Sequence, residues 1–98
     1  MVNVKGKWAF ITGAARGIGY LSALFMAERG CNLILHSWDL EHTKNVVEEC
    51  EAYGVKAVAV AAELVNPDSV KAMLAEIDKL GVDVDIVLNN AGMQIAYR

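Results

Sequence analysis

Eight residues constrain what this chain can fold into more than any others: Thr12-Gly13-Ala14-Ala15-Arg16-Gly17-Ile18-Gly19. An apolar run, Trp8-Ala9-Phe10-Ile11, stands directly before them and is short enough for a buried strand. A largely apolar segment, 18–29, stands directly after them and is long enough for a helix. Strand, glycine-rich turn and helix in that order make a cradle for an anion. Glycine has no Cβ, so a ligand can come close to the backbone. The helix start offers unpaired N–H groups and a partial positive charge. The spacing is T-G-x-x-x-G-x-G, not the commoner G-x-G-x-x-G, and taken alone a plain strand-to-helix turn explains it equally well.

The rest of the chain repeats the same alternation. Strands are expected at 7–12, 32–36, 56–62 and 84–89, all nearly continuously apolar. The first helix is expected at 17–29, stopping at Gly30, and is apolar on most sides (Ile18, Leu21, Leu24, Phe25, Met26), which predicts deep burial. The second is expected from Asp39, as N-cap, to Tyr53, with Leu40, Val46, Val47, Cys50 and Tyr53 on its inner side. The third opens at Asn66-Pro67, an N-cap followed by proline, and ends at Gly81, with Val70, Met73, Leu74, Ile77 and Leu80 as its buried stripe. This order predicts an α/β fold, a Rossmann-like parallel sheet with helices on both faces. The strand order is expected to be 3-2-1-4, with a ligand crevice between strands one and four, where the order reverses.

Ninety-eight residues indicate a single domain, 1–98. A 55% hydrophobic content and a mean hydropathy of +0.32 are high for a core this small, so apolar surface is expected to stay uncovered or to be covered by a partner. The net charge of −3 and the absence of a basic block argue against a nucleic-acid or anionic-membrane surface. No apolar run approaches the roughly 20 residues of a membrane span, and the first residues have no leader architecture. Cys31 and Cys50 form no C-x-x-C and read as buried, reduced thiols. His36 and His42 have no metal-ligand spacing with them and read as satisfied structural side chains. Together these features predict a cytoplasmic protein.

A second motif, Asn89-Asn90-Ala91-Gly92, follows the apolar run 84–88. With it, the chain resembles the short-chain dehydrogenase/reductase family, whose members carry TGxxxGIG after the first strand and NNAG after the fourth. Both stand here letter for letter. The resemblance implies an NAD(P)-binding site and an oxidoreductase that moves hydride between nicotinamide and a carbonyl or alcohol carbon. It implies that Gly13 lets the pyrophosphate approach, that Gly17 and Gly19 open the first helix against the sheet, and that Ile18 lies under the cofactor towards the nicotinamide. Arg16 would sit beside the phosphates, Asn90 would bind the adenine-side ribose, and Ala91 and Gly92 would let the cofactor pass. Glu63 stands where the family usually has an aspartate on the adenine, with Leu64 lining the adenine slot.

Cofactor choice in such sites is set at the end of strand two, by an acid for the ribose of NAD or an arginine for the phosphate of NADP. Ser37 and Trp38 occupy those two places, and neither matches. With no acid at 37 and a basic Arg16 nearby, NADP is favoured over NAD. Asp39 lies at a suitable count from the turn but reads better as a helix cap.

The family's catalytic serine and its Tyr-x-x-x-Lys do not occur in these 98 residues. The chain therefore reads as a partial dinucleotide-binding domain, truncated after the fourth strand and inactive alone, with no catalytic residue of its own. An open fourth strand predicts a homo-oligomer or a complementing chain. The alternative is a non-catalytic nucleotide-binding or interaction module. A receiver-like domain is disfavoured, because Thr12-Gly13 and Ala62-Glu63 stand where receivers need acids.

Overall fold

A computed structural model describes residues 3–90. Four strands, β1 (Trp8–Thr12), β2 (Asn32–Ser37), β3 (Ala57–Ala61) and β4 (Val84–Asn89), form one sheet in the order β3-β2-β1-β4. Every neighbouring pair is parallel. Three α-helices connect them: α1 (Gly17–Glu28), α2 (Lys44–Glu51) and α3 (Pro67–Lys79). The expected fold class and strand order are therefore observed.

Strand side chains alternate between the two faces. Ala9, Ile11, Leu33 and Leu35 join Ala23, Met26, Val46 and Cys50 in the core beneath α1 and α2. Ile34 and Val60 join Met73 on the opposite face, with Trp8 and Phe10 packed beside them. Both cysteines are buried free thiols. β4 carries one extra residue opposite the start of β1, and the Asp85 carboxylate accepts the Trp8 N–H at 3.4 Å there.

Three expectations are corrected. Helix α1 buries its small side, Gly19, Ala23 and Ala27 with Met26. Ile18, Leu21 and Phe25 are instead 71%, 62% and 48% exposed. Small residues let the helix lie close to the sheet, and the large apolar ones project sideways, where Leu88 of β4 borders them. The second helix is not continuous from 39 to 53. A 3-10 turn, Leu40–Thr43, precedes α2, held by the Thr43 hydroxyl on the Leu40 carbonyl at 3.1 Å. Leu40 and Tyr53, expected on its inner side, lie outside the α-helical turns and are exposed. Leu74 is also exposed, because Val70, Met73, Ile77 and Leu80 already span the contact of α3 with the sheet.

The Asn66 cap of α3 is as expected, whereas Asp39 caps the 3-10 turn and not α2 itself. Asn66 accepts the N–H groups of Asp68 and Ser69 at 3.0 and 3.2 Å, ahead of Pro67. Asp39 accepts the His42 N–H at 3.1 Å. No described helix is long and apolar enough to cross a membrane.

Candidate functional site

β1 ends at Thr12, and the chain must turn at once to enter α1. Gly13 takes φ +64° and Gly17 takes φ +63°, both left-handed, which glycine adopts without strain. Gly19 serves a different need: a Cβ there would stand 2.1 Å from the Gly13 carbonyl oxygen. The turn therefore packs directly on the first turn of α1. Arg16 is the N-cap residue of α1, and its side chain makes no capping hydrogen bond; no acid stands in the first turn. The first N–H groups of this helix thus lack the side-chain acceptors that Asp39 and Asn66 supply elsewhere.

Three strands further along the sequence, β4 delivers Asn89 and Asn90 to the same place. Asn89 pairs in register with Thr12, and the Thr12 hydroxyl lies 3.2 Å from Asn89 Oδ1. Asn89 thus bridges β1 and β4. The Asn90 amide donates to the Gly13 carbonyl at 3.2 Å. The turn and the end of β4 therefore meet at the carboxyl edge of the sheet, where the strand order reverses. Ala91 and Gly92 lie outside the described residues.

A cavity of about 430 Å³ opens beside the turn, over the ends of β2 and β3. Six of the residues singled out in the sequence line it: Gly13, Arg16, Ser37, Trp38, Glu63 and Leu64. Ser37 is buried at the tip of β2, and Trp38 is exposed just beyond it. Leu64, held in the loop before α3, lines the same cavity as Trp38. The Glu63 N–H is anchored on the Ser69 hydroxyl at 2.9 Å, which ties this loop to the first turn of α3. Ile18 is not in this cavity; it borders a shallow apolar hollow with Leu21, Phe25 and Leu88.

Two histidines that the sequence marked only as structural also line the cavity. The His42 ring lies 5.0 Å from that of Trp38. Its Nδ1 is 2.6 Å from Asp39 Oδ1, and this hydrogen bond holds the Asp39 carboxyl below the ordinary carboxylate range. Asp39 is thereby committed to capping and to His42, and it does not line the cavity. His36 is 3% exposed and hydrogen-bonded at both nitrogens. The one signal for its position was a lone polar ring closing an aliphatic strand run, Leu33-Ile34-Leu35.

The donor set suits the adenosine and phosphate end of a dinucleotide. It has a backbone cradle at a helix start, a guanidinium beside it, a hydroxyl at the tip of β2, and an aromatic and an aliphatic side chain on the cavity wall. Among the described residues no cluster of His, Cys, Asp and Glu could hold a metal ion.

Comparison with known proteins agrees with this geometry. The chain is 41% identical over 88 residues to 3-oxoacyl-(acyl-carrier-protein) reductase FabG of Staphylococcus aureus, covering 89% of this chain and 36% of that protein. L-sorbose reductase of Gluconobacter frateurii, solved with NADPH and L-sorbose, superposes with a TM-score of 0.84 at 28% identity, over 92% of this chain and 35% of that one. A metagenomic short-chain oxidoreductase solved with NADP gives a TM-score of 0.79 at 28% identity, over 88% of this chain and 39% of that one. The chain thus spans about a third of the length of these relatives. The family model described as short chain dehydrogenase matches residues 7–97, and this chain belongs to that family.

Proposed function

We propose that this chain is the NAD(P)-binding portion of a short-chain oxidoreductase, one that moves hydride between nicotinamide and a carbonyl or alcohol substrate. The observation that carries the reading is the meeting of the Gly13 turn with Asn89 and Asn90 beside the cavity of about 430 Å³. In this reading the turn and the start of α1 hold the pyrophosphate, with Arg16 beside it. Trp38 and Leu64 flank the adenine, Glu63 contacts it, and Asn90, Ala91 and Gly92 border the ribose and the path of the cofactor. Ile18 lies towards the nicotinamide, which supplies the hydride when bound.

NADP is the preferred dinucleotide in this proposal. Ser37 presents no carboxylate to a 2′-phosphate, Asp39 is occupied by His42, and Arg16 adds positive charge. The relatives solved with NADPH and NADP support nicotinamide-dinucleotide binding as such.

The Tyr-x-x-x-Lys pattern does not occur in the 98 residues, which favours binding without turnover by this chain alone. Fluorescence titration with NADPH and NADH tests the proposal. NADPH is expected to bind more tightly than NADH, and Gly13→Val to abolish binding, because a branched side chain fills the cradle and opposes a positive φ. A Gly13→Val chain that is folded and binds like wild type would falsify the reading.

A further inference from the structure

His36 closes β2 one residue before its tip, and its buried ring spans two segments far apart in the chain. The Gly13 N–H donates to Nδ1 at 3.0 Å, and Nε2 lies 2.9 Å from the Ala62 carbonyl oxygen. An amide N–H can only donate and a carbonyl can only accept, so Nδ1 is bare and Nε2 carries the proton. The ring is therefore neutral, in a single tautomer.

The backbone of His36 adds a third contact: its carbonyl accepts the Ala14 N–H at 2.8 Å. One residue thus takes both N–H groups at the opening of the glycine turn. On its other side the Gly13 peptide is gripped by the Asn90 amide and abuts Gly19. The Gly13 and Ala14 donors are spent inside the protein, so a bound phosphate must use the N–H groups further along, at the start of α1. A buried N–H deprived of its acceptor is costly, on the order of tenfold or more in the equilibrium that forms the turn.

We infer that His36 is a positioning residue of the dinucleotide site: its neutral, Nε2-protonated ring ties Gly13 to the end of β3 and so sets the shape in which the turn receives phosphate. This inference rests on the dinucleotide-binding reading above. Its own content is that the acceptor at Nδ1, and not merely the bulk of the ring, sustains the site.

The test begins with the 15N-labelled chain at neutral pH. The His36 ring is expected to show an unprotonated Nδ1 and a protonated Nε2, and the Gly13 amide to be protected from exchange, with or without NADPH. NADPH affinity is then compared in two variants. In His36→Asn the side-chain oxygen can replace Nδ1 as acceptor, whereas His36→Leu fills the space with no acceptor. The leucine variant is expected to bind about tenfold or more weakly, and the asparagine variant within about threefold of wild type. An Nδ1-protonated ring, an unprotected Gly13 amide, or equal affinities in the two variants would overturn the inference. A wild-type chain that binds neither dinucleotide would instead overturn the functional reading, while the ring tautomer and amide protection still decide the clamp. Should the leucine variant not fold, those two wild-type measurements carry the test.

Discussion

Gly17 and Gly19 stand two residues apart and are glycines for different physical reasons. At Gly17 a Cβ would meet nothing within 4 Å, but φ is +63°. Gly17→Ala should therefore cost about 1–2 kcal/mol of stability, the ordinary penalty for a left-handed L-residue. At Gly19 the space itself is taken by the Gly13 carbonyl. Gly19→Ala should cost about 1–3 kcal/mol by overpacking and also weaken NADPH binding, because the clash moves the turn itself. Urea denaturation with a parallel NADPH titration distinguishes the two, and equal binding by both variants would contradict this assignment. Cys50 makes a pH prediction. Burial, reinforced by the nearby charges of Glu49 and Glu51, pushes its thiol up to about 11 from the ordinary 9.0. The unfolded chain loses this proton first as pH rises, so the contribution of Cys50 to stability falls between about pH 9 and about pH 11. Cys50→Ala should flatten that part of the stability profile, and a profile unchanged by the substitution would refute it.

Helices α1 and α3 show how far periodic patterns reach. In α3 the cap and the apolar spacing agree, and Asn66 supplies two hydrogen bonds to the first turn. Asn66→Ala should cost about 1 kcal/mol in chemical denaturation without changing NADPH affinity. The α1 sequence is apolar nearly all round, so it marks a helix but not which side meets the sheet. Alanine and glycine won that side because they permit close approach, and Phe25 was left outside with the Arg29 guanidinium 3.5 Å above its ring. The second helix departs from its apolar pattern for a related reason. Asp39 is a cap, but of a 3-10 turn, and Thr43 bonds back to Leu40 before α2 begins. Side chains that compete for the backbone shift a helix start by a turn, which an apolar count does not register.

Across the whole molecule, β4 is one edge of the described sheet, with Val87 61% exposed and Leu88 bordering Ile18, Leu21 and Phe25 on α1. An apolar strand edge beside an apolar helix side favours pairing with another chain. Sedimentation velocity on residues 1–98 should therefore show concentration-dependent association, reduced by the double substitution Leu21→Ser with Phe25→Ser. Both positions lie outside the buried core, so the monomer should keep its fold. A monomer at every concentration would rule this out.

The turn residues, the strand order and the meeting of residues 12–19 with Asn89-Asn90 were legible in the sequence, because each depends on local chemistry: glycine at positive φ, apolar runs of strand length, caps at helix starts. The tertiary structure alone decided which face of α1 is buried and that His36 holds Gly13. Those outcomes depend on which groups a parallel sheet brings within 3 Å of one another. A backbone N–H at the end of β1 takes whichever acceptor β2 presents beside it, and no spacing along the chain encodes that choice.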